Sequence, residues 1–137
     1  MRAFWRFHRY LLRLTRGRWF NRIGPGRQLL LTTRGRKTGQ PRSVGLSYMV
    51  DGDRWIVVGS NAGEDQHPAW WLNLLSEPTA TIVVSGASLP VTAHELEEPE
   101  RAEVFSRFVS EVGESYLEYQ QRTTRRLPVV ALTRTTM

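Results

Sequence analysis

The 137-residue sequence contains no cysteine and only three histidines, so it can form neither a disulfide framework nor a thiolate metal site, and it offers little to a histidine-rich metal cluster. No metal is expected, and the composition fits a reducing interior. Lysine is nearly absent as well: Lys37 stands alone, and arginine supplies almost all of the formal net charge of +6. Long uncharged apolar runs are missing. The opening stretch MRAFWRFHRYLLRLTRGRWF is interrupted by charge too often to span a bilayer, and it lacks the apolar core of a secretory signal. What is present is 40% hydrophobic residues, enough for one core at a length typical of a single domain.

Arg2, Arg6, Arg9, Arg13 and Arg16 recur at helical intervals, with Phe4, Phe7, Leu11 and Leu14 opposite them, so residues 1–22 are expected to form an amphipathic basic helix. Two readings of that helix stay open. Its apolar face covers the domain core or a partner subunit, or it lies on an anionic membrane with the arginines at headgroup level and Trp5, Tyr10 and Trp19 at the interface. The second reading puts a cytoplasmic protein in peripheral contact with the inner face of the cell membrane through residues 1–20.

Gly24, Pro25 and Gly26 break the helix, and residues 27–137 make up the main domain. Residues 28–33 (QLLLTT), 43–50 (SVGLSYMV) and 54–59 (RWIVVG) read as strands. The last two flank Asp51-Gly52-Asp53, a tight-turn signal, so an antiparallel meander is expected. Residues 68–76 (PAWWLNLLS) read as a short helix with Trp70, Trp71, Leu74 and Leu75 on its apolar face. A hairpin over 79–84 and 89–96 turns at Ser85-Gly86-Ala87-Ser88, with Pro90 marking an edge or bulge. Helices over 99–112 and 115–122 precede a last strand over 127–133. About six strands, mostly in hairpins, with helices at the periphery predict an α+β fold, a small barrel or strongly curled sheet.

Two clusters carry chemistry. Arg34, Arg36, Lys37 and Arg42 crowd one loop, where Gly35 and Gly39 are expected to leave backbone amides free for a phosphate or carboxylate. The loop is no Walker motif, because its glycine spacing is wrong and it lies between strands. A solvated hairpin tip is the plainer alternative. The second cluster, Ser60-Asn61-Ala62-Gly63 followed by His67-Pro68 and Trp70-Trp71, puts small polar groups and a flat aromatic surface at the start of a helix, whose amides can meet an anion. There too a plain core role for the tryptophans competes, as does a turn role for His67.

Taken together, LLLTTRGRKTGQPR, GSNAGEDQHPAWWLNLLSEP and SYLEYQQRTTRRLPVVALT resemble the deazaflavin-dependent nitroreductase family, small split β-barrel proteins of the FMN-binding-like type that use coenzyme F(420) and include quinone reductases. The resemblance runs over residues 28–133. It implies that Arg36, Lys37, Thr38 and Arg42 hold the phosphate and tail carboxylates of the coenzyme, that Ser60, Asn61, Ala62 and Gly63 line the ring edge, and that Pro68, Trp70 and Asn73 lie beneath it. FMN, without the polyglutamyl tail, suits the loop less. The implied reaction is hydride transfer from the reduced deazaflavin to a small-molecule acceptor such as a quinone or nitro compound, with Ser60, Tyr116 and Tyr119 as the catalytic candidates.

The chain departs from the family pattern at Arg42-Ser43-Val44-Gly45-Leu46, at Ala62-Gly63 in place of a double glycine, and at Trp70-Trp71-Leu72-Asn73. These changes bear on the acceptor pocket more than on the anion loop. A carrier that binds the coenzyme without turnover is the alternative to an enzyme. Nucleic acid is not expected, because the basic residues are not interleaved with aromatics on a sheet face. The pattern selects no oligomeric state.

Overall fold

The computed structural model describes residues 27–135. The helix expected over residues 1–22 lies outside them. Strands β1 (Arg27–Arg34), β2 (Pro41–Asp51) and β3 (Arg54–Val58) form the expected meander, followed by a tight turn (Asn61–Gly63) and helix α1 (Ala69–Ser76). Strands β4 (Thr79–Val84) and β5 (Ala87–Glu95) make the second hairpin, then helices α2 (Glu100–Glu111) and α3 (Ser115–Gln121) lead to β6 (Val129–Arg134). All pairings are antiparallel, and β6 slots between β3 and β5 to close a barrel of order β1-β2-β3-β6-β5-β4.

The turns follow their residues. In the second hairpin the loop is narrower than expected: Ser85 (φ 50) and Gly86 (φ 78) alone make it, both left-handed as a type I′ turn requires, so β5 starts at Ala87. Pro90 therefore falls within a strand, opposite Thr81 of β4. Its carbonyl accepts from the Thr135 N–H just past the end of β6, so the donor that proline lacks faces a point where the ladder has already run out.

Period-2 alternation sorts the side chains into two cores. Leu29, Leu31, Tyr48, Val57, Ile82, Val91, Val130 and Leu132 come from all six strands and so fill the barrel interior, with Trp70, Trp71 and Leu74 of α1 closing it. The opposite parity, Met49, Ile56, Val58, Val129 and Ala131, packs outside against Val104 and Phe108 of α2. Each such side chain withdrawn from water contributes about 1.5–3 kcal/mol. The consequence for function is positional: α1 sits at the barrel mouth beside the β1–β2 loop, and α3 lies over the outer face beside the turn after β3.

Candidate active site

The β1–β2 loop is built from its glycines inward. The Gly35 N–H donates to the Gln40 carbonyl at 2.8 Å, and the Gly39 N–H donates to the Gly35 carbonyl at 2.8 Å. A Cβ on Gly35 would stand 2.9 Å from the Gln40 oxygen, and Gly39 holds φ +77. The expectation of free glycine amides is thus corrected: they close the loop on itself, and the groups left for an anion are side chains. Arg36, Lys37, Thr38 and Arg42 are all exposed, and none of these three cations meets a carboxylate among the described residues.

Asn73 fixes where that charge sits. It is 2% exposed on α1, and its Oδ1 accepts from both the backbone N–H of Arg36 (3.2 Å) and the Arg36 Nη1 (3.0 Å). Its Nδ2 donates to Thr33 Oγ1 at 3.1 Å. Asn73 therefore holds Arg36 in place from beneath. Thr38 is also a brace, its hydroxyl accepting from the Gln40 N–H at 3.2 Å. The amino end of α1 opens on the same space, with no side-chain cap.

The turn after β3 is strained. Asn61 (φ 45), Ala62 (φ 54) and Gly63 (φ 81) are left-handed in succession, although only the last is glycine. Gly63 is buried behind the turn, where a Cβ would come 2.8 Å from the Tyr119 carbonyl. His67 is a turn residue, its Nδ1 3.1 Å from Arg125 Nη1. Burial, then the charge of Arg125, hold its pKa below the ordinary imidazole value, against a weaker opposite pull from Glu95. The neutral ring accepts from the guanidinium.

Across from this turn, Tyr116 and Tyr119 of α3 stack edge-to-face with centroids 5.5 Å apart, and Tyr116 packs likewise on Phe108 at 4.9 Å. Burial raises the Tyr116 pKa above the usual phenol value, with a hydrogen bond to Ser47 working the other way. Its hydroxyl keeps its proton at neutral pH.

Two clefts result. One, of about 500 Å³, is lined by Arg36, Lys37, Thr38, Arg42 and Asn73; the other, of about 390 Å³, by Ser60, Ala62, Ser47, Tyr116 and Tyr119. They share Val44, Asn61, Pro68 and Trp70 and so adjoin, and the pair makes up a trough with cations lining one half and hydroxyls the other. Of the residues to which the family resemblance gives a role, Gly63 alone lines neither cleft; Arg34, His67 and Trp71 of the two clusters line neither as well. Trp70 packs in the barrel core at 7% exposure and also lines both clefts. Sequence reasoning missed Arg125, whose partners are brought to it only by folding, and Ser47, an unremarkable serine within a strand.

Comparison with known proteins identifies the family. Residues 4–134 match the family model described as F(420)H(2)-dependent quinone reductase. An F(420)H(2)-dependent quinone reductase of Mycobacterium tuberculosis (strain H37Rv) is 39% identical over 132 residues, covering 94% of this chain and 89% of that protein. A solved F(420)-H2 dependent reductase superposes with a TM-score of 0.70 at 34% identity, over 77% of this chain and 92% of the other. A second structure, of a domain-swapped dimer, gives 0.72 at 28% identity over 91% and 98%.

Proposed function

The chain belongs to the F(420)H(2)-dependent quinone reductase family, and from that premise we propose that its trough takes reduced coenzyme F(420) at the cationic end and a quinone or nitro compound near the tyrosines. The single observation that carries this reading is that the cationic and the hydroxyl-lined clefts adjoin, with Val44, Asn61, Pro68 and Trp70 lining both. The donor set fits the coenzyme: guanidinium and ammonium groups without carboxylate partners suit phosphate and tail carboxylates, and the Trp70 face suits a planar ring.

When bound, the reduced deazaflavin supplies the hydride. Everything else is work for the chain. Arg36, Lys37 and Arg42 bind the anionic end, with Thr38 bracing Arg42's loop and Asn73 aiming Arg36. Ser60, Asn61 and Ala62 line the second cleft, Asn61 bordering the first as well, and Ser60 offers a hydroxyl near the reacting centre. Pro68 and Trp70 form the floor and exclude water. Tyr116, protonated at neutral pH, and Tyr119 line the second cleft, and to them we assign the proton taken up by a reduced quinone oxygen.

The location at the inner membrane face is part of the same proposal, supported by the arginine stripe of residues 1–20 and by the lipid solubility of quinones. No described helix is long and apolar enough to cross a membrane. The reaction is tested by mixing reduced coenzyme F(420) with menadione without oxygen: steady, acceptor-dependent oxidation is expected. Stoichiometric binding with no acceptor dependence would leave only a carrier. Quenching of tryptophan fluorescence by F(420) but weakly by FMN is the expected cofactor preference.

A further inference from the structure

The turn that carries Ser60 and Asn61 is held at three carbonyls by one guanidinium. Arg125, in the link between α3 and β6, donates from Nη2 to the Ser60 carbonyl (2.8 Å), from Nη1 to the Gly59 carbonyl (3.1 Å) and from Nε to the Glu64 carbonyl (2.9 Å). Its Nη1 also meets His67 Nδ1 at 3.1 Å. Two neighbours add to the grip: Arg122 Nη1 donates to the Ala62 carbonyl at 3.3 Å, and Thr123 Oγ1 donates to Asp65 Oδ1 at 2.8 Å. Left-handed backbone at non-glycine residues costs energy and persists only where its surroundings over-determine it. Here Arg125 grips the backbone on both sides of the left-handed residues, at Gly59, Ser60 and Glu64, while Arg122 holds Ala62 and the Asn61 Nδ2 donates to the Gln66 carbonyl.

The same link fixes α3. Gln120 Oε1 accepts from the Leu127 N–H at 3.0 Å, and Gln120 Nε2 donates to the Arg125 carbonyl at 2.7 Å, so the guanidinium is tied through its own backbone to the helix bearing Tyr116 and Tyr119. We propose that Arg125 is a positioning residue for the reaction: it holds the strained 60–63 turn at a set distance from the two tyrosines, across the second cleft. The anion loop, which lines the first cleft, is untouched by it. This rests on the reading of the trough as coenzyme and acceptor halves of one site.

Arg125→Lys keeps the cation and loses the planar fork that spans three carbonyls. Its kcat with reduced coenzyme F(420) and menadione should fall by about tenfold to a hundredfold, the scale of small misplacements at a reacting centre. The Kd for oxidised coenzyme, read from tryptophan fluorescence, should stay close to that of the parent protein. Backbone amides of residues 60–64 should exchange with deuterium faster while the barrel strands keep their protection. An unchanged kcat, or a parallel loss of kcat and affinity, overturns the proposal. An inactive parent protein overturns the reading of the clefts, which is a separate failure from an active parent with an equally active variant. If Arg125→Lys does not fold, His67→Ala removes one contact and leaves the guanidinium: lower kcat with intact affinity supports the clamp, and unchanged kcat with unchanged exchange overturns it.

Discussion

Asn73 has its carbonyl oxygen accepting twice from Arg36 and its amide donating to a fully buried threonine, so truncation leaves several groups seeking partners at once. Asn73→Ala should lower unfolding stability by about 1–3 kcal/mol, the cost of an orphaned buried polar group, seen as a lower urea midpoint at unchanged slope. Coenzyme affinity should fall with it, since Arg36 loses its brace; a variant of parental stability would show that the amide network is incidental. His67 makes a pH prediction. Its folded pKa lies below the unfolded value of about 6.5, so the folded state binds fewer protons than the unfolded chain around and below that value. The stability from its neutral form is fully present above about pH 6.5 and is lost as pH falls through the folded pKa. Thermal midpoints at about pH 7.5 and about pH 5.5 should therefore differ less in His67→Gln, which cannot titrate but can still accept from Arg125, than in the parent. Equal slopes would remove His67 from the account.

At the scale of elements, the β1–β2 loop is a hydrogen-bonded frame with exposed charges mounted on it. Gly35 and Gly39 close the frame, so Lys37→Ala with Arg42→Ala should leave the fold intact and weaken coenzyme binding by about 2–4 kcal/mol, taking charge-assisted contacts with incomplete additivity. Unchanged affinity in that double variant, by fluorescence titration, would mean that the tail rests elsewhere. The loop also shows what the sequence made legible. Its charge was plain from residue types, and the flanking strands from branched residues bounded by turn signals, because both are local properties. That the glycine amides face each other rather than a ligand was not legible, since hydrogen-bond direction depends on the exact closure between Gly35 and Gln40. Asn73 shows its partners, Thr33 and Arg36, only once the barrel mouth has formed. Arg125 reads in sequence as one member of a basic run, and the carbonyls of Gly59, Ser60 and Glu64 come to it only because β6 inserts between β3 and β5.

For the whole molecule, the placement of positive charge matters more than its sum. Among the described residues Arg54, Arg101, Arg107 and Arg126 are paired with carboxylates, whereas Arg36, Lys37 and Arg42 are not and lie together along one cleft, so their charge is available to an anion there. The arginines at positions 2, 6, 9, 13 and 16 form a second cationic feature at the far amino end of the sequence. In the proposed contact with an anionic lipid surface, each basic residue would contribute about 1 kcal/mol, screened over a Debye length of about 8–10 Å at physiological salt. Division of labour between the two features leads to the last prediction. Removing the residues before Asn21 should abolish co-sedimentation with vesicles containing anionic lipid, while turnover of menadione, which is presented from solution, is retained. The full chain should also release those vesicles as salt is raised, and it should not bind neutral ones. Vesicle binding that survives the deletion would move the attraction to the trough itself, and the amino-terminal stripe would then have to be explained by packing within the protein.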